Sequence, residues 1–195
     1  MIRIGILGDI GSGKSYVAQS FGYPVFDADY EVSKLYKQNR KVYQKLKKLF
    51  PKYIFEFPID KIKLSKAILA NNSNLKKLVN VVHKEIRHKM NSFLKKNKNK
   101  KFIILDIPLL LENKINTKKD VLVYVDSKKT DILKKLKERK NFNTKILKKF
   151  KQIQLPIDYK KKNSHFIIKN KFTKKSVNVG VLKILKKLEN ERNSS

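Results

Sequence analysis

Residues 8–15, "GDIGSGKS", stand between the apolar run "MIRIGIL" and the segment "YVAQSF". The pattern is G-x-x-x-x-G-K-S, with Gly8, Gly13, Lys14 and Ser15 in register. Two readings compete, a phosphate cradle and a plain glycine turn. A cradle needs glycines so that backbone N–H groups converge on phosphate oxygens. It also needs a lysine to bridge the outer phosphates and a hydroxyl suited to Mg²⁺, and all of these are present. A helix opening near Lys14 adds partial positive charge at the same place. Four matched positions arise by chance, so the flanks decide. Ile2, Ile4, Ile6 and Leu7 read as a short buried strand, and Val17, Ala18 and Phe21 fit one face of a short helix. Strand, glycine loop and helix are the required context, and residues 8–15 are read as a nucleotide-phosphate site.

Working outward, five apolar runs read as buried strands: "IRIGIL", "YPVFDAD", "KFIILDIP", "VLVYVD" and "HFIIKN". Helical patterns lie between or after them, at about 29–49, 74–96, 128–140 and 175–189. Strands alternating with helices predict an α/β fold with a parallel sheet covered on both faces. Residues 30–98 are too many for one crossover helix. They predict a helical excursion at the C-terminal edge of the sheet, where substrates bind in such folds. The closing "ENERNSS" is expected to fray.

A length of 195 residues suits one core of ordinary size with a small inserted subdomain. There is no cysteine, which excludes a disulfide framework and any cysteine-based metal site. The N-terminus has no basic segment followed by an apolar run, and no stretch approaches 18 apolar residues. A soluble cytoplasmic protein without a membrane partner is expected. The net charge of +32 raises nucleic-acid binding, because basic patches release counterions from phosphate backbones. Yet the basic residues are 43 lysines and 5 arginines, and arginine is the preferred fork for bases and phosphates. The lysines alternate with apolar positions at helical spacing, as in "KLYKQNRKVYQKLKKLF". They predict a solvated surface that attracts small anions, with no specific nucleic-acid partner.

Several constellations carry possible chemistry. Asp27 and Asp29 alternate with Phe26 and Ala28, so a strand running through "FDAD" points both carboxylates to one side. Either serves as a base for a hydroxyl proton, or as a helix N-cap. His83 shares the inward face of a helix with Leu75, Leu78, Val79, Val82, Ile86, Met90 and Phe93, as a core residue or a ligand. Asp106 closes the third apolar run, where phosphate-loop proteins often place a carboxylate that steadies Mg²⁺. Glu112 and Asn113 follow an apolar triplet as a helix terminus or a substrate contact. Lys135 and Arg139 stand four apart on one helical face, around an anion or exposed to solvent.

Together these pieces resemble the dephospho-CoA kinase family over about residues 1–170. The family's "GGIGSGKS" appears as "GDIGSGKS", its "DAD" as Asp27-Ala28-Asp29, and its "PLLxE" as Pro108-Leu109-Leu110-Leu111-Glu112. Its helical histidine corresponds to His83, its lid arginines to Lys135 and Arg139, and its late glutamine to Gln154. Its "AD-x-V-I-x-N" corresponds to "SHFIIKN", ending at Asn170. The chain departs from the family at Tyr16, where threonine is usual, at Lys84 after His83, at Ser164-His165, and in lacking a glycine after Asn170.

The resemblance implies a P-loop NTPase-type three-layer sandwich with a five-stranded parallel sheet. It implies a single kinase domain, with a core at about 1–29 and 99–190, a helical CoA-side insertion at 30–98 and a lid at 135–160. The implied reaction is ATP-dependent phosphorylation of the ribose 3′-hydroxyl of dephospho-CoA, with Mg²⁺ as cofactor. Asp29 is then the base, assisted by Lys14 and Arg139. ATP falls to Gly11, Ser12, Gly13, Lys14, Ser15 and Tyr16, and the metal to Ser15 and Asp106. The acceptor falls to Asp27, His83, Pro108, Leu109, Leu110 and Glu112, in a monomer or weak homo-oligomer. The alternatives are another P-loop small-molecule kinase or an RNA-binding P-loop NTPase, and "PLLLEN" argues against both.

Overall fold

The computed structural model describes residues 1–139 and 142–193, and each of the five apolar runs forms a strand. In chain order the elements are β1 (Ile2–Gly8), α1 (Lys14–Ser20), β2 (Val25–Asp27), α2 (Ala28–Gln38), α3 (Arg40–Leu49), α4 (Lys61–Ala70) and α5 (Asn74–Lys96). They continue with β3 (Phe102–Asp106), β4 (Val121–Asp126), α6 (Lys129–Lys137), α7 (Thr144–Gln152), α8 (Ile157–Lys162), β5 (Phe166–Lys169) and α9 (Lys174–Asn193). Two compact units result, one comprising Met1–Asp27, Asn97–Phe142 and Leu155–Ser195, the other Ala28–Lys96 and Asn143–Gln154.

The first unit is a five-stranded parallel sheet flanked by helices, in the order β2-β3-β1-β4-β5. Ile4 and Ile6 of β1 point to one face, with Ile104, Val123, Val125 and Ile168 from neighbouring strands. There they bury Val17 and Ala18 of α1, its C-cap Phe21, and Val177, Val181, Ile184 and Leu188 of α9. Gly5 points to the other face, where a Cβ would stand 2.5 Å from Leu110 Cδ2 and 3.0 Å from Leu122 Cδ2. Only glycine lets Leu110 reach the sheet there. Burial on both faces explains why the strands read as continuous apolar runs. The chain lays β2 and β3 to one side of β1, then β4 and β5 to the other. The loop after β1 therefore opens at the point where the strand order reverses.

The second unit is helical. Its core joins Leu35, Val42, Leu46, Leu64 and Ile68 to the α5 stripe Leu75, Leu78, Val82, Ile86 and Met90. α2, α3 and α4 each pack on α5, and α7 packs on α4. The single helix expected over 29–49 is two helices. Asn39 breaks it by leaving the helical conformation and accepting the Val42 N–H at 3.0 Å as N-cap of α3. α4 and α7 begin on the same signal, with Asp60 accepting from Ile62 N–H and Asn143 from Ile146 N–H.

Three more expectations change. β2 stops at Asp27, so Asp29 is helical rather than extended. α6 ends at Lys137, with Glu138 as its C-cap, so Arg139 does not share its face; Lys140, the rest of that expected helix, lies outside the described residues. α9 continues to Asn193 instead of fraying from Glu189, which pairs with Lys101 at 2.6 Å; Ser194 and Ser195 of the expected tail lie outside the described residues. Among the described residues, no helix is long and apolar enough to cross a membrane.

Candidate active site

The loop from Gly8 to Gly13 leaves β1 and turns directly into α1. Gly11 and Gly13 take left-handed backbone angles, φ +84° and +87°. At Gly13 any side chain is excluded as well, since a Cβ would lie 2.5 Å from Asn170 Nδ2. The Lys14 ammonium folds back over the loop and donates to the Asp9 carbonyl at 2.8 Å and to the Gly8 carbonyl at 3.3 Å. The Asp9 carboxylate accepts the Ile10 N–H at 2.7 Å. Ser15 and Tyr16 are exposed at the start of α1, whereas Ser12 is buried and presents only its backbone.

Beside the loop, Asp27 at the end of β2 lies level with Asp106 at the end of β3, and Asp106 is buried. The first unit thus brings the phosphate loop, Asp27 and Asp106 to the C-terminal ends of β1, β2 and β3. Asp29 stands exposed in the first turn of α2, where the helix N-terminus favours a negative charge. Together with burial, its charge raises the Tyr36 hydroxyl far above the ordinary tyrosine range.

His83 lies on α5 in the second unit, half-buried, and its Nε2 is enclosed without a hydrogen-bond partner. Burial lowers its pKa below the usual 6.5, and the neighbouring Arg87 charge lowers it further. The unfolded chain then binds the extra proton between the folded value and 6.5, so stability falls as pH drops through that window. Melting temperature is expected to fall between pH 7.5 and pH 5.5 by a larger margin in the native chain than in His83→Gln. Parallel melting curves for the two proteins would count against a buried neutral imidazole.

In the "PLLLEN" turn, Pro108 and Leu109 are partly exposed, but Leu110 is fully buried on Gly5, so its side chain packs the motif and meets no solute. The Glu112 carboxylate forms a buried ion pair with Lys160 of α8, 2.7 Å apart, with side chains only 9% and 3% exposed. The same oxygen accepts the Leu155 N–H at 3.0 Å. Lys135 pairs with Glu138 at 2.9 Å, and Arg139 is exposed beyond the helix. At the divergent Ser164-His165, His165 Nδ1 accepts the Leu122 N–H at 3.0 Å and ties the entry of β5 to β4.

Two residues around the loop escaped the sequence reading. Ser127 Oγ and Asn170 Nδ2 both donate to the Ser12 carbonyl, each at 2.9 Å. A lone serine after a strand carries no pattern. Asn170 was visible only as the end of a family motif, without a role.

The family model for dephospho-CoA kinase matches residues 2–175. A dephospho-CoA kinase from Wolbachia pipientis wMel is 37% identical over 179 residues, 89% of this chain and 91% of that protein. One from Bacillus anthracis is 31% identical over 195 residues, covering 95% and 96%. A Thermus thermophilus crystal structure superposes with a TM-score of 0.76 at 27% identity, over 94% of this chain and 95% of its own. With its phosphate loop at the sheet's switch point and its "DAD" and "PLLLE" segments in place, the chain belongs to the dephospho-CoA kinase family.

Proposed function

We propose that the phosphate loop of this chain holds ATP and that Asp29 activates the acceptor, in the ATP-dependent phosphorylation of dephospho-CoA to coenzyme A. The observation that carries this reading is the loop itself. Gly11 and Gly13 are left-handed, α1 begins at Lys14, and the Lys14 ammonium rests on the loop carbonyls. Such a loop presents backbone N–H groups and one cation to a transferring phosphoryl group. Gly11, Ser12 and Gly13 supply backbone, Lys14 the charge, and Ser15 and Tyr16 the first amides of the helix.

Phosphoryl transfer passes through a loose transition state, so positioning and charge stabilisation dominate over covalent chemistry. Asp29 accepts the proton of the ribose 3′-hydroxyl, and Asp27 orients the acceptor. Arg139 stabilises charge on the transferring group from the lid segment at 135–160. His83, Pro108 and Leu109 serve acceptor binding in this reading. The donor set at Ser15 and Asp106, a hydroxyl and a carboxylate, fits Mg²⁺, which takes one or two carboxylates and keeps the rest of its shell for phosphate and water. When bound, that ion neutralises charge between the outer phosphates. Reliance on ATP supports a cytoplasmic place of action, and the lysine-rich surface favours approach of anionic substrates without selecting a polynucleotide.

The direct test is ATP consumption with dephospho-CoA present and absent, beside shikimate and nucleosides as control acceptors. Consumption driven by dephospho-CoA alone is expected, and equal turnover with another acceptor would overturn the assignment. Lys14→Ala is expected to lower kcat/KM roughly 10²- to 10³-fold, the usual loss for one preorganised donor at developing charge. Its melting temperature should barely move, because the ammonium's hydrogen bonds to the Gly8 and Asp9 carbonyls lie within a surface loop. Full turnover in that variant would remove the loop from the nucleotide site.

A further inference from the structure

The Ser12 carbonyl accepts two hydrogen bonds from outside its own loop. Ser127 Oγ, just after β4, and Asn170 Nδ2, just after β5, each donate to it at 2.9 Å. Asn170 is itself fixed on two further sides. Its backbone N–H donates to the Asp126 carbonyl at 2.8 Å, and its Oδ1 accepts the Phe172 N–H at 2.8 Å. Asn170 is only 3% exposed. The Phe172 backbone is left-handed, φ +56°, a strained conformation for an aromatic residue that its hydrogen bond to Asn170 helps to hold.

This bonding pattern has a geometric effect one atom further on. A trans peptide is planar, and its C=O and N–H point to opposite sides. The Ser12 carbonyl shares its peptide plane with the Gly13 N–H. Two donors that hold the carbonyl toward the ends of β4 and β5 therefore aim the Gly13 N–H the other way. Glycine leaves this peptide nearly free to rotate, so the loop's own sequence does not set the direction. We infer that Ser127 and Asn170 are positioning residues of the phosphate loop, whose paired donation to the Ser12 carbonyl orients the Gly13 N–H toward phosphate. The inference rests on the reading of residues 8–15 as the nucleotide-phosphate site.

The test is calorimetric titration of ADP, without acceptor, into the native chain and its Ser127→Ala, Ser127→Thr and Asn170→Asp variants. Ser127→Ala removes one of two donors and should weaken ADP about 3- to 10-fold, the scale of one hydrogen bond, while Ser127→Thr keeps the hydroxyl and native affinity. Asn170→Asp sets a carboxylate oxygen against the Ser12 carbonyl and should weaken ADP roughly 100-fold or more. The Gly13 amide resonance should shift on ADP addition in the native chain and much less in Asn170→Asp. KM for ATP should rise while KM for dephospho-CoA stays put. Should Asn170→Asp fail to fold, Ser127→Ala and its threonine rescue still decide. Native ADP affinity in Ser127→Ala, or lowered melting temperature with unchanged affinity, overturns the inference alone. A native chain that does not bind ADP overturns the nucleotide reading and this inference together.

Discussion

Asp29→Asn is expected to lower kcat roughly 10²- to 10⁴-fold, the usual range for general-base assistance. A ribose hydroxyl is a weak acid, and its proton needs an acceptor as the new bond to phosphorus forms. Asparagine keeps the size and hydrogen-bonding reach of aspartate but cannot take a proton at neutral pH. The loss should therefore fall on kcat and spare KM for ATP. Stability should change little, since Asp29 is exposed and its interaction with the start of α2 is worth about 0.3–1 kcal/mol. Asp27→Asn should cost less turnover, because Asp27 ends β2 beside Asp106 and serves orientation. Steady-state kinetics with both substrates saturating checks the pair. Near-normal kcat in Asp29→Asn, with Asp27→Asn inactive, would make Asp27 the base.

Glu112→Ala is expected to destabilise the fold by about 3–5 kcal/mol, the range for breaking a buried ion pair from one side. The Lys160 ammonium would be left without its carboxylate at 3% exposure, and the Leu155 N–H would lose its acceptor. At roughly 2–4 °C per kcal/mol for a chain of this size, the melting temperature should fall by about 6–20 °C. Glu112→Gln combined with Lys160→Met should recover most of the loss, because the amide still accepts from Leu155 and no buried charge remains. Thermal melts of the single and double variants measure this directly. Unchanged melting with a raised KM for dephospho-CoA would return Glu112 to the acceptor site.

The parts legible in the sequence were those fixed by local rules. β4 and α5 occupy the residues their periodicity predicted, and the loop stands between β1 and α1 as its glycines required. The break at Asn39 was written in the sequence too, as an asparagine three residues before the amide it caps, but an apolar stripe continuing across it concealed the signal. The "DAD" segment misled because period-two alternation persists for two residues beyond the last paired position, Asp27. Strand order was invisible, since it depends on pairings between residues such as Phe26 and Leu105, far apart in the chain. Lys160 was invisible for another reason. Among 43 lysines no spacing singles it out, and only its burial against Glu112 does.

The lock on the Ser12 carbonyl has a consequence for the protein's birth. The phosphate loop occupies residues 8–15 and is made before its supports, because Ser127 follows Ser12 by 115 residues and Asn170 by 158. Nascent chains fold domain by domain as they emerge, yet this unit is stitched from three separated stretches and cannot close until the last arrives. A chain stalled or cleaved before residue 170 carries the whole glycine motif and still lacks at least one of the two donors to the Ser12 carbonyl. If the inference holds, such fragments should hold nucleotide more weakly than chains that include residue 170.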